Sequence, residues 1–103
     1  MIRVSIFYPH TPGAKFDMKY YTEKHLPMVK QRLSPACKSY GVDVGLGGGA
    51  PGSSPTYGTI GYLYFDSVEA FGQAFGPHAA EIQGDVANYT TIQPVVQISE
   101  VKI

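Results

Sequence analysis

The chain has 103 residues, with eight Lys and Arg against eight Asp and Glu, so its formal net charge at pH 7 is zero. That length suits a single domain spanning residues 1–103, and the dispersed basic residues offer no patch for nucleic acid. No apolar stretch approaches the ~20 residues that cross a bilayer, no signal-peptide pattern opens the chain, and a lone Cys37 can build neither an intrachain disulfide nor a thiolate metal site, so a soluble, cytoplasmic protein is expected.

Ile2 to Tyr8 is β-branched and aromatic and reads as a strand, followed by a loop at Pro9-His10-Thr11-Pro12-Gly13. Asp17 is a helix N-cap, with Phe16 and Tyr21 spaced as a hydrophobic staple. The helix beginning at Met18 turns Tyr21, His25, Met28 or Val29, and Leu33 to one side. Pro27 falls inside it and, lacking an N–H for Glu23, predicts a kink or break near His25 and Leu26. Ser34-Pro35 ends the helix.

Lys38 to Leu46 alternates as a strand: Tyr40, Val42, Val44 and Leu46 form a core face, while Ser39, Gly41, Asp43 and Gly45 form a face of small residues. Gly47, Gly49 and Gly52 in the next loop have the spacing of a dinucleotide-binding turn. Pro51, Ser53, Ser54 and Pro55 follow, however, and then a strand, so no helix N-terminus is in place to hold a pyrophosphate. Thr56 to Phe65 is the third strand, with large residues on both faces: Ile60, Tyr62 and Tyr64 against Leu63 and Phe65. Asp66 or Ser67 caps a second helix carrying Val68, Phe71, Phe75, His78 or Ala79, Ile82 and Val86, interrupted at Gly76-Pro77. Val95 to Val101 is the last strand.

The order is βαββαβ, an α+β ferredoxin-like arrangement in which both helices pack on one face of the sheet. The aromatic residues on the other face need a cover, and a second copy of the same sheet is the simplest one, giving a homodimer around a small apolar pocket.

His25, on an apolar helix face beside a break, can act as acid or base near neutral pH; its bland alternative is a helix-end histidine bonded to a freed carbonyl. His78 sits similarly beside Pro77, with a structural reading favoured, and His10 reads as surface. No pair of histidines has metal-ligand spacing. Eight tyrosines bring large apolar bodies with hydroxyls that need partners, suited to an oxygenated cyclic or aromatic ligand. Asp43 is either an inward carboxylate or an edge residue facing solvent. On type and spacing alone the structural reading of His25 is the favoured one; the candidates for a site are His25 and Tyr21 as catalytic residues, with Tyr62, Tyr64, Asp43, His78 and Tyr89 contacting substrate.

Tyr20-Tyr21 and His25-Leu26-Pro27, within YYTEKHLPMV, resemble the signature of EthD-like proteins, named for ethyl tert-butyl ether degradation. Asp66 to Phe71, His78 to Ile82 with Asp85, Asn88-Tyr89-Thr90 and Gln93-Pro94 extend the resemblance over the whole chain. It implies an antiparallel four-stranded sheet that forms a dimeric α+β barrel, and it places His25 at the centre of the signature. Related barrels include cofactor-free monooxygenases of polycyclic phenols, lactone isomerases, dehydratases and haem-degrading enzymes. Two functions are expected in order: a cofactor-independent enzyme on a small apolar metabolite, with His25 as acid or base and tyrosines stabilising an enolate or phenolate, or a non-catalytic protein binding a small hydrophobic ligand. No cofactor is expected. Haem is a third reading that requires His25 or His78 to face an open slot.

Overall fold

A computed structural model describes all 103 residues. Strands β1 (Ile2–Pro9), β2 (Ser39–Val44), β3 (Tyr57–Phe65) and β4 (Val95–Glu100) form one sheet in the order β2-β3-β1-β4. Every neighbouring pair is antiparallel. The helical layer is α1 (Met18–Tyr20), a π turn (Tyr21–His25) and α2 (Leu26–Leu33), then α3 (Val68–Phe75), a 3₁₀ turn (Gly76–His78) and α4 (Ala79–Asp85). This is the βαββαβ order read from the sequence. No helix is long and apolar enough to cross a membrane.

Strand register assigns the two faces. Ile2, Val4, Ile6 and Tyr8 on β1 lie opposite Phe65, Leu63, Gly61 and Thr59 on β3, and this face meets the helices. A buried cluster of Ile2, Val4, Leu63 and Phe65 packs there against Val29, Leu33, Cys37 and Ile82. A second cluster, formed by Tyr8, Tyr21, Leu26 and Tyr89, lies at the other end of the same face. Arg3, Ser5 and Phe7, with Ile60, Tyr62 and Tyr64, lie on the open face, as the alternation required.

The helices cover β1 and β3 but do not reach the edges of the sheet. Tyr40, Val44 and Leu46, expected in the core, are 41%, 57% and 97% exposed. Val96 and Ile98 on β4 are similarly uncovered. The result is a slab of 41 × 33 × 19 Å with a radius of gyration of 14.0 Å, against about 13 Å for a rounded domain of this length. Its accessible surface is 6211 Å², whereas a monomer of this mass exposes about 5,700 Å².

Pro27 does interrupt the first helix, in a specific way. Asp17 caps it by accepting from the Tyr20 amide, and the Phe16 and Tyr21 rings meet at 5.2 Å as the staple predicts. The amide of Leu26 then bonds to the carbonyl of Tyr21, five residues back, so the chain passes Pro27 through one π turn without breaking. Thr22 Oγ1 also donates to the Met18 carbonyl at 2.9 Å, a side-chain bond that favours bending at this point.

Gly61 sets how closely that turn approaches the sheet. A Cβ there would collide with the Tyr21 hydroxyl and lie 3.3 Å from its Cζ. Tyr21 is 1% exposed and packed on every side, so it has no room to yield. Gly61→Ala should therefore lower the unfolding free energy by about 1–3 kcal/mol. In a Tyr21→Phe background the same change should cost measurably less; urea denaturation of the four proteins checks both expectations.

Candidate functional site

The second cluster carries the chemistry. His25, at the end of the π turn, and Asp85, at the end of α4, are 60 residues apart in sequence and meet with Nδ1 2.8 Å from Oδ2. Asp85 Oδ1 accepts from the Tyr20 hydroxyl at 2.6 Å and from the Asn88 amide at 2.8 Å. On the inner side of His25, Nε2 lies 3.5 Å from the Tyr89 hydroxyl. That hydroxyl is in turn 2.6 Å from the hydroxyl of Tyr8.

These contacts decide where the protons sit. Burial pushes the Asp85 carboxyl upward, but hydrogen bonds from Tyr20, His25 and Asn88 outweigh it and hold the group below the usual carboxylate range. An ionised carboxylate only accepts hydrogen bonds, so Nδ1 carries a proton. Burial is also the largest influence on His25 and lowers its pKa, against the opposing pull of Asp85. The ring is thus neutral at pH 7, with a bare lone pair on Nε2. At 3.5 Å the Tyr89 hydroxyl is at the outer limit of a hydrogen bond, so that lone pair is only loosely engaged. Burial raises the pKa values of Tyr8, Tyr21 and Tyr89, which stay phenols and serve as donors.

Aromatic packing fixes the imidazole. The Tyr21 ring stacks on it at 5.6 Å and 14°, and the Tyr89 ring leans against it at 4.7 Å. His25 is 5% exposed and Tyr89 fully buried. Within the protomer the Tyr89 hydroxyl stands against Nε2 and the Tyr21 ring covers one face of the imidazole. An open cleft of about 390 Å³ lies instead on the Asp85 side, between Tyr20, Lys24, Met28 and Asn88.

Of the residues singled out in the sequence, the structure unites His25, Tyr21 and Tyr89. Tyr62, Tyr64 and Asp43 lie together on the open sheet face, away from His25, where the Tyr62 hydroxyl donates to Asp43 Oδ2 at 2.8 Å. The separation follows from strand alternation, since Leu63 and Phe65 take the helix side of β3. His78 also stands apart, its Nδ1 3.9 Å from Glu81 Oε1, at an open surface cleft of about 370 Å³ between the ends of α2 and α3. His25 bonds a carboxylate side chain, so it is not the helix-end residue satisfying a freed carbonyl. Sequence reasoning did not assign Asp85, Tyr20, Asn88 or Tyr8 to the site. The available signal was Asp85-x-x-Asn88-Tyr89, which sets two polar groups and an aromatic on one helical face. No three His, Cys, Asp or Glu side chains converge to hold a metal.

Residues 13–93 match the model of the EthD domain. The chain is 36% identical to an uncharacterised 11.0 kDa protein of the thcB–thcC intergenic region of Rhodococcus erythropolis, over 88% of this chain and 85% of that protein. An EthD-like protein of Ralstonia eutropha superposes with a TM-score of 0.95 at 50% identity, covering 99% of this chain and 92% of the other. A dimeric ferredoxin-like protein from an uncultured marine organism shares the fold at 13% identity, with a TM-score of 0.62 over 100% and 96% of the two chains.

Because the folded state favours neutral His25, its contribution to stability is complete above the unfolded value of about 6.5 and is lost as pH falls below it. Asp85, held low, adds a second loss only below about pH 4. Urea denaturation should show stability falling between pH 7 and 5 in the native chain, and a flatter profile over that range in His25→Gln.

Proposed function

The chain belongs to the EthD domain family, and from its oriented histidine we propose that it is a cofactor-independent proton-transfer enzyme, of isomerase or monooxygenase type, acting on a small apolar cyclic or aromatic metabolite. The observation that carries this reading is the 2.8 Å bond between His25 Nδ1 and an Asp85 carboxylate that Tyr20 and Asn88 also hold. It commits Nδ1 to the carboxylate and leaves Nε2 as a base of fixed direction, while Asp85 stabilises the imidazolium formed when Nε2 takes a proton.

In this reading the substrate presents an acidic C–H or O–H next to a ring carbonyl or on a phenol. Nε2 accepts that proton, and the electron pair left behind develops on oxygen as an enolate or phenolate. The Tyr89 hydroxyl, which Tyr8 supports from behind, donates to the oxyanion. Tyr21 keeps the imidazole plane fixed by stacking. Met18, Val42, Val86 and Ile92 pack around the cluster and favour an apolar substrate skeleton. Substrate entry parts Nε2 from the Tyr89 hydroxyl, 3.5 Å away in the free protein, and that hydroxyl then turns to the substrate oxygen. The proton leaves again from Nε2, to the substrate carbon or to water, so that Nδ1 stays bonded to Asp85 and the base is restored.

The proposal includes a homodimer closed over the open sheet face. Phe7, Ile60, Tyr62 and Tyr64 form an aromatic and aliphatic surface there that the chain's own helices do not cover. The flat shape and surplus accessible surface favour a partner. The dimeric description of a protein with the same fold points the same way.

The test is deuterium exchange. A panel of cyclic enolisable ketones and phenols is incubated in D₂O with the protein, and label uptake is followed by proton NMR. At least one compound should exchange faster with the native protein, and His25→Gln should lower that rate by about 100-fold or more. Compounds that bind both proteins equally tightly without exchange would make this a carrier instead.

A further inference from the structure

The open sheet face carries two charges and a hollow. Arg3, Ser5 and Phe7 on β1 run beside Ile60, Tyr62 and Tyr64 on β3, which run beside Ser39, Gly41 and Asp43 on β2. Arg3 is the one cation of this surface and Asp43 the one anion. The guanidinium carbon of Arg3 lies 5.1 Å from the centroid of the Tyr62 ring, and Arg3 Nε is buried without a hydrogen-bond partner. None of the ion pairs in the chain includes Arg3. Within the chain Tyr64 is the side chain placed to bond the guanidinium, and no carboxylate meets it at contact distance, so the charge of Arg3 lacks an ionic partner.

Asp43 carries the complementary charge on the exposed part of this face. Its Oδ2 accepts from Tyr62, whereas Oδ1 makes no hydrogen bond. Gly41, across from Tyr62 in the register, opens on free space, with nothing within 4 Å of where a Cβ would stand. Ridge residues of β3 thus run along a strip of small residues that can receive a matching ridge. A two-fold interface brings a surface against itself, so one positive and one negative group on the same face become two opposed pairs.

We propose that Arg3 of each protomer pairs with Asp43 of the other across the open sheet faces, the ridge at Tyr62 seating in the hollow at Gly41. This rests on the homodimer reading above and assigns the groups that fix its register. The pairing gives the Arg3 guanidinium a carboxylate partner, occupies Asp43 Oδ1, and leaves the interface without net charge. Charges placed this way exclude sliding of one sheet over the other, because a shifted register buries both groups unpaired.

Sedimentation velocity over a concentration series tests it, with circular dichroism to confirm folding. The native chain should be dimeric. Arg3→Asp and Asp43→Arg should each raise the dimer dissociation constant by at least about 30-fold. The double reversal Arg3→Asp/Asp43→Arg should recover most of that loss. Asp43 is exposed in the protomer, so its reversal keeps the fold even where the Arg3 change does not. A native dimer that is indifferent to the Asp43 reversal, or a double reversal no better than the singles, overturns the pairing while leaving the dimer in place. A monomeric native chain overturns both.

Discussion

A carboxylate that stays ionised while mostly enclosed is the constraint on which the rest of this molecule turns. Asp85 is 17% exposed at its side chain and needs donors to replace lost water. Tyr20, His25 and Asn88 supply them from two separate stretches of chain. Meeting that need ties the first helix to the end of α4, fixes the proton of His25 on Nδ1, and turns Nε2 inward toward the phenols of Tyr89 and Tyr8. The same bonds that stabilise the charge also orient the base.

The two faces of the sheet divide the work. On the helix side, the π turn beside Pro27 carries Tyr21 down onto β3, and only glycine at position 61 permits that approach. On the other side, aromatic residues that serve no core in the protomer form the open surface on which the proposed dimer rests. Each end of this division comes from alternation in β1 and β3, where every second residue is committed to one role.

Strand and helix order were legible because the periodicities are clean and the caps at Asp17 and Ser67 stand where the apolar runs begin. Pro27 announced an interruption, but whether the helix breaks or passes through a π turn depends on which carbonyl the Leu26 amide finds, a tertiary outcome. His25, Tyr21 and Tyr89 were identifiable by type and position. Asp85 was not, because an aspartate near a helix end reads as solvent-facing until the partner 60 residues away is placed beside it. Tyr62, Tyr64 and Asp43 were grouped with His25 on residue type, and strand alternation sets them on the opposite face of the sheet. The exposure of Tyr40 and Val44 reflects how far two short helices can reach across four strands.

Nitrogen-15 NMR of the histidine rings at pH 7 tests the account most directly. His25 should be neutral, with Nδ1 protonated and strongly hydrogen-bonded and Nε2 giving the signal of an unprotonated acceptor. A proton on Nε2, or a doubly protonated imidazolium at that pH, would contradict it.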